Sequence, residues 1–237
     1  MLTDLLLLDI ETVPQAASFE QLDPDWQQLF RDKISKTVPE GEEPAVLYRK
    51  KGGILAEFGK IICISTAFFY YDEKQNRSLK IKSISGNDEK TVLEEFTVLC
   101  DRMHRHNRDF RFAGHNIREF DIPYICRRML VNGLQLPDYL RLHERKPWEV
   151  KMFDTLSWWK FGDNKNYISL HLLASVLGIP TSKTDMDGSM VQDVYYKDND
   201  LPRIVEYCQR DVIVTAGVIL RFQNQPPLQP EQVTVAG

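Results

Sequence analysis

Apolar and polar positions divide the chain into strand-like and helix-like stretches. Leu5 to Leu8 form an unbroken apolar run that passes into Asp9-Ile10-Glu11-Thr12. So short a run reads as a central strand buried on both faces. Residues 60–69, with Ile61, Ile62, Ile64, Ala67 and Phe68, read as a second strand. A turn at 72–76 leads to the alternating residues 79–84, a third and half-exposed strand. A helix capped by Asn87 or Asp88 follows to about His106, with Val92, Phe96, Leu99, Cys100 and Met103 at helical spacing. Residues 110–113 form a fourth strand, parallel to the first because a helix connects them. A helix over 119–131 ends at Asn132-Gly133, and residues 151–153 are a short fifth strand. Helices at about 168–177 and 201–223 complete the pattern.

The order βββαβαβα predicts an α/β RNase H-like fold. Its mixed five-stranded sheet is a three-strand antiparallel meander plus parallel strands, flanked by helices. One domain spans residues 1–223. Residues 14–58, rich in Pro and Gly with short helices near 26–30 and 45–48, form an insertion between the first two strands. The Pro- and Gln-rich residues 224–237 are expected to be a disordered tail. A hydrophobic content of 43% and a charged content of 27% describe an ordinary globular chain of 237 residues. No stretch reaches the ~18–20 apolar residues of a membrane span, so a cytoplasmic location is expected. Cys63, Cys100, Cys126 and Cys208 lie far apart in apolar contexts and are expected to be reduced. The net charge of −4 does not announce a nucleic-acid binder. Setting four metal-bound acids aside would bring it to zero.

The candidate chemistry lies in acids at apolar positions. Asp9 and Glu11 are spaced i, i+2, so in a strand they share a face with Cα atoms about 6.5–7 Å apart. Two unpaired carboxylates there call for a cation between them, although a strand end running into a polar loop has the same pattern. Ile204, Cys208, Asp211, Thr215, Val218 and Phe222 trace one stripe of the last helix, and Asp211 interrupts it with a charge. Tyr207 precedes Asp211 by one turn. A rotated helix with Asp211 paired to Arg210 or Arg127 is the competing reading. Asp121 lies among Phe120, Ile122, Tyr124 and Ile125. It is also placed as an ordinary first-turn acid would be.

Together these positions resemble the three motifs of the DEDD superfamily of 3′–5′ exonucleases. Asp9-Ile-Glu11 is similar to the first, Asn116-x3-Phe120-Asp121 to the second and Tyr207-x3-Asp211 to the third. The alternative histidine position is Glu206 here, which places the resemblance in the tyrosine subclass. The chain most resembles stand-alone relatives of the family B DNA polymerase proofreading domain, over residues 4–222. The resemblance implies a catalytic set of Asp9, Glu11, Asp121, Tyr207 and Asp211, with the four acids as metal ligands. It also implies Asn116 and Phe120 on the substrate side and hydrolysis at the 3′ end of single-stranded DNA. Four carboxylates at one point fit two Mg²⁺ or Mn²⁺ ions, and oxygen-only ligands argue against zinc. At an effective dielectric near 20, each like-charged pair at ~4 Å repels by about 4 kcal/mol without such ions. A phenol with its usual pKa near 10 is a poor base at neutral pH, so Tyr207 is expected to orient water. His115 is expected to pack in the loop and not to bind metal.

Substrate-side signals are more diffuse. Arg49-Lys50-Lys51, ahead of Gly52-Gly53, is a candidate for holding the substrate strand. That places the insertion over the entrance to the site, with the two glycines permitting movement. Two further basic groups occur, Arg102-x-His-Arg-His-x-Arg108 and Arg141-x3-Arg145-Lys146. Trp158, Trp159, Phe161 and Tyr167 are candidates for base stacking as well as for core. Two alternatives stay open: an exoribonuclease with the same chemistry, and a catalytically silent nucleic-acid-binding module. The sequence identifies no partner protein.

Overall fold

Leu5 to Leu8 are almost wholly buried because both faces of their strand are covered. The computed structural model describes residues 1–35, 41–146, 148–163, 165–181 and 186–236. Residues 36–40 of the insertion and Gly237 of the expected tail lie outside these. Strand β1 (Leu5–Pro14) is followed by helices α1 (Pro24–Ser35) and α2 (Pro44–Lys51). Strands β2 (Gly59–Tyr71) and β3 (Arg77–Ser85) complete an antiparallel meander. Helix α3 (Glu89–His106) crosses to β4 (Arg111–Gly114), which runs parallel to β1, and α4 (Asp121–Val131) follows. The chain continues through β5 (Phe153–Asp154), α5 (Thr155–Trp159), α6 (Leu170–Val176), α7 (Val191–Asp193), α8 (Leu201–Phe222) and β6 (Val233–Ala236). Across the sheet the order is β5, β4, β1, β2, β3, β6.

Alternation along β1 assigns the two faces. Leu6, Leu8 and Ile10 pack with Val92, Phe96, Ile122 and Ile125 of α3 and α4. Leu5 and Leu7 pack with Val212, Ala216, Ile219 and Leu220 of α8. Asp9 and Glu11 continue this second series, which aims them at α8.

The architecture is the mixed α/β, RNase H-like sheet read from the sequence, with two corrections. The sheet has six strands and not five, and the segment expected to be a disordered tail supplies the sixth. Val233–Ala236 pairs in parallel with Leu79–Lys82 of β3. Composition marked this segment as tail-like, but alternating Val233 and Val235 give it a strand's period and the open edge of β3 gives it a ladder. The 15–58 segment has a hydrophobic cluster of its own, where Phe30 meets Tyr48 and Phe58 edge-on at 5.1 Å each. Gly52 and Gly53 allow close packing there. A Cβ on Gly52 would meet the Tyr48 carbonyl at 2.7 Å, and one on Gly53 would meet Pro14 at 3.3 Å.

Candidate active site

The acids of β1 stand where one ladder ends and the other continues. Pairing with β4 stops at Leu7–Ala113, whereas pairing with β2 runs on to Pro14–Gly59. The "strand end" carrying Asp9 and Glu11 is therefore the end of β4, while β1 itself extends three residues beyond Glu11. A register shift follows directly after Glu11, the sort of local bend that re-aims side chains beside a site. Beyond the β4 ladder the Ile10 N–H is left over, and it donates to Asp121 Oδ1 at 3.2 Å. Asp121, at the start of α4, thus ties the helix to the strand and brings its carboxylate between them.

Among the described residues Asp9, Glu11 and Cys208 set ligand atoms within 4.8 Å of one another, and Asp121 and Asp211 lie near enough for their charges to act on Asp9 and Glu11. Burial raises the pKa of Asp9 well above the carboxylate range, and the charges of Glu11, Asp211 and Asp121 add to it. Glu11 is raised likewise, by burial first and then by Asp211, Cys63 and Asp121. Burial pushes Asp121 up to about 7 and Asp211 up to about 6. No cation offsets the shifts of Asp9 or Glu11. Among the described residues, no ion pair joins any of the four to Lys or Arg. Arg210, beside Asp211, pairs instead with Glu206 at 3.2 Å. The Tyr207 hydroxyl is within hydrogen-bonding reach of Asp211, which it holds down, while burial raises its own pKa.

These groups line a cleft of about 700 Å³ whose walls include Asp9, Asp121, Tyr207, Asp211, Asn116 and Phe120. Asn116 adopts a left-handed conformation (φ 62°), which asparagine tolerates. Buried Asp154 holds that turn by accepting the N–H groups of Asn116 (3.1 Å) and Arg118 (3.0 Å) as well as those of Leu156 and Ser157. His115 packs as expected: its Nε2–H donates to the Ile168 carbonyl at 2.9 Å, and Nδ1 faces the Thr155 hydroxyl at 2.9 Å. Burial lowers its pKa and keeps it neutral.

Several expectations need correcting. Among the described residues of the 14–58 insertion, none lines the cleft. Arg49 pairs with Asp193 of α7 (2.6 Å) and Lys50 with Glu42 (3.1 Å), and neither lines the cleft. Lys51, in the same last turn of α2, is likewise absent from the cleft. Of the aromatic candidates only Tyr167 lines it, whereas Trp158 stacks on Phe222 at 4.5 Å. Conversely, sequence reasoning missed Cys208, whose thiol donates to Asp9 Oδ2 at 3.3 Å. Its place in the helix stripe between Tyr207 and Asp211 was the available signal. It also missed Asp154, whose signal was an N-cap position before α5, and His171, which lines the cleft from α6.

An α/β sheet of this order with these acids and a tyrosine beside them is the arrangement expected of a DEDD-type 3′–5′ exonuclease. Residues 54–226 match the family described as a predicted 3′–5′ exonuclease related to the exonuclease domain of PolB. The chain belongs to that family. The match takes in Asp121, Tyr207 and Asp211, and the structure adds Asp9 and Glu11 from before it. No curated protein matches the chain. Among solved structures, the family B DNA polymerase from the hyperthermophilic archaeon Pyrobaculum calidifontis has the same fold, with a TM-score of 0.54 and 13% identity. The likeness covers 93% of this chain and 24% of that one, so the chain spans about a quarter of the polymerase's length. Exonuclease domains of this kind generally use divalent metals. No helix among the described residues is long and apolar enough to cross a membrane.

Proposed function

We propose that the chain removes nucleotides one at a time from the 3′ end of single-stranded DNA, using a pair of Mg²⁺ or Mn²⁺ ions. The observation that carries this reading is the gathering of Asp9, Glu11, Asp121 and Asp211 with no described ion pair to Lys or Arg, His171 and Arg210 offsetting Asp211 alone. Buried carboxylates with no partner are costly, and an oxygen-rich set of this kind suits hard divalent ions. Asp9, Glu11, Asp121 and Asp211 would hold them. Bound there, such ions supply Lewis-acid stabilisation of charge developing at the phosphate and lower the pKa of water.

The chain's own groups do the positioning. Tyr207 keeps its proton, because burial and the neighbouring acids raise its pKa. Its hydroxyl therefore orients the attacking water and does not deprotonate it. Phe120, set against Tyr124 at 5.4 Å, offers a ring to the terminal base, and Asn116 offers an amide. Asp154 and His115 fix the loop that carries Asn116. The family's relation to PolB supports DNA as the substrate.

The test is digestion of 5′-labelled single-stranded DNA, duplex DNA and RNA with Mg²⁺, with Mn²⁺ or with EDTA. The expected result is progressive shortening from the 3′ end of single-stranded DNA, abolished by EDTA. Faster shortening of RNA at equal concentration would make the chain an exoribonuclease. Binding without cleavage in either metal would make it a silent module.

A further inference from the structure

Two basic groups far apart in sequence meet around one pocket at the other end of β4. The catalytic cleft opens at its C-terminal end, past Gly114. At its N-terminal end, Arg108 and Arg111 face Arg145 and Lys151 across a pocket of about 180 Å³ floored by Phe110 and Tyr139. Among the described residues, Arg108, Arg111 and Lys151 form no hydrogen bond or ion pair through their side chains. Arg145 donates only to the Asp138 carbonyl, at 3.2 Å. Of the acids lining the pocket, Asp138 is paired with Arg141 (3.5 Å) and Glu149 accepts the Lys146 N–H (2.9 Å). Among the described residues, Asp109 and Glu149 are thus the lining acids without an ion pair, against four cations. Like charges gathered this way repel one another and attract a polyanion.

A single side chain connects pocket and cleft. Asn116 lines the cleft, and two residues later Arg118 donates from its guanidinium to the Val150 carbonyl, which lines the pocket. Arg111 and His115 are four residues apart along the strand direction, about 13 Å at ~3.3 Å per residue. That corresponds to roughly four phosphates of one strand at ~3.4 Å each, or fewer if the strand is stretched.

We infer that this pocket binds a backbone phosphate of the substrate strand, a few nucleotides on the 5′ side of the bond cleaved. The inference rests on the proposed nuclease reading and adds where the strand lies. The strand leaves the acids past Asn116, follows Arg118 along the β4–β5 edge, and is held by the four cations. The uncleaved part of the strand is thereby gripped while its 3′ end enters the cleft.

The test is a triple variant, Arg108→Gln, Arg145→Gln and Lys151→Gln, all at exposed positions, compared with wild type on strands of increasing length. For a strand of about twelve nucleotides KM should rise about tenfold with little change in kcat, and the dependence of log affinity on log salt should flatten by about 0.7, the contribution of one phosphate contact on a single strand. A dinucleotide, too short to span the two sites, should keep its wild-type KM. Equilibrium binding of the same strands in EDTA should show the same length-dependent loss. Equal effects on the dinucleotide and the long strand would overturn the assignment, because the pocket would then act through the fold. Wild-type KM on long strands would also overturn it. In that case competition by inorganic phosphate that the triple variant abolishes would assign the pocket to free phosphate. If wild type hydrolyses no strand of any length, the nuclease reading itself falls, an outcome distinct from these.

Discussion

Two of the places where the molecule buries charge treat it in opposite ways. Beneath α3 and α4, Glu89 and Arg128 are each almost fully buried and completely matched. Three short contacts join the guanidinium to the carboxylate, at 2.6–3.1 Å. The carboxylate also accepts the Ile61 N–H (2.7 Å) and the Asn132 amide (2.8 Å), while Arg128 donates to the Ala56 carbonyl (2.9 Å). In the cleft, Asp121 receives one backbone N–H from β1 and Asp9 one thiol, with no guanidinium or ammonium against either. The same chain that sets a guanidinium against one buried carboxylate pairs, among the described residues, none of the four cleft acids with Lys or Arg. The first cluster is closed within the fold, and the second is completed only by something the chain does not supply.

The sharpest way to break this comparison is to remove charge at both places. Asp9→Asn, Glu11→Gln, Asp121→Asn and Asp211→Asn should each lower nuclease activity by about 10³-fold or more, ~4 kcal/mol of lost transition-state stabilisation. Melting temperature in EDTA should stay level or rise, because each change relieves repulsion. Arg128→Met should do the reverse, losing ~3–5 kcal/mol of stability by stranding Glu89. Glu89→Gln added to it should recover part of that loss. Activity assays and thermal melts of the same preparations decide the matter. A cleft variant that melts as low as Arg128→Met would show its acid to be a structural partner.

A gentler probe is pH. Asp9, Glu11, Asp121 and Asp211 all have folded pKa values raised above the ordinary 3.8–4.5. The folded protein then holds more protons than the unfolded chain between those values and about 7. Stability in EDTA is therefore fully present at low pH within this window and is lost as pH rises toward 7. The loss should be read as a fall in melting temperature between pH 5 and 7. Mg²⁺ or Mn²⁺ added above pH 7 should restore it, and Asp121→Asn should flatten the slope. A slope unchanged by that substitution would place the titration elsewhere.

The two regions also differ in how legible they were from sequence. Asp9, Glu11 and Asp211 stood out because each breaks an apolar strand or helix stripe, and local periodicity shows that directly. Asp121 needed its motif context, since a first-turn acid is ordinary. Glu89 and Arg128 carry no such mark: Glu89 looks like a favourable residue at a helix start, and only the packing of α3 against α4 joins the two. Asp154 and Cys208 were hidden for the same reason, because their partners, Asn116 and Asp9, come from distant segments. Arg49, Lys50 and Lys51 misled in the other direction. A basic run shows charge, but it does not show whether Asp193 and Glu42 will be waiting for it. The sixth strand escaped because composition outweighed a four-residue alternation at the end of the chain.

The smallest effect expected concerns the one member of the proposed catalytic set that is not an acid. Tyr207 faces Asp211 one turn along α8, and burial joined by three acidic neighbours holds its hydroxyl protonated. Replacement by Phe keeps the ring packed beside Val194 and Ile204 and removes only the hydroxyl. If that hydroxyl orients the attacking water, the single-turnover rate should fall roughly ten- to a hundredfold, ~1.4–2.7 kcal/mol, with metal dependence nearly unchanged. Losing its hydrogen bond to Asp211 should also raise that carboxyl further, because the bond now holds it down. The metal-free protein should then lose slightly more stability between pH 6 and 7. A full rate with only this pH effect would make Tyr207 a support for Asp211. A rate profile that loses an ionisation present in wild type would make it the base. An orienting role predicts a slower reaction whose pH profile keeps its shape, and that outcome would set Tyr207 apart from the four acids around it.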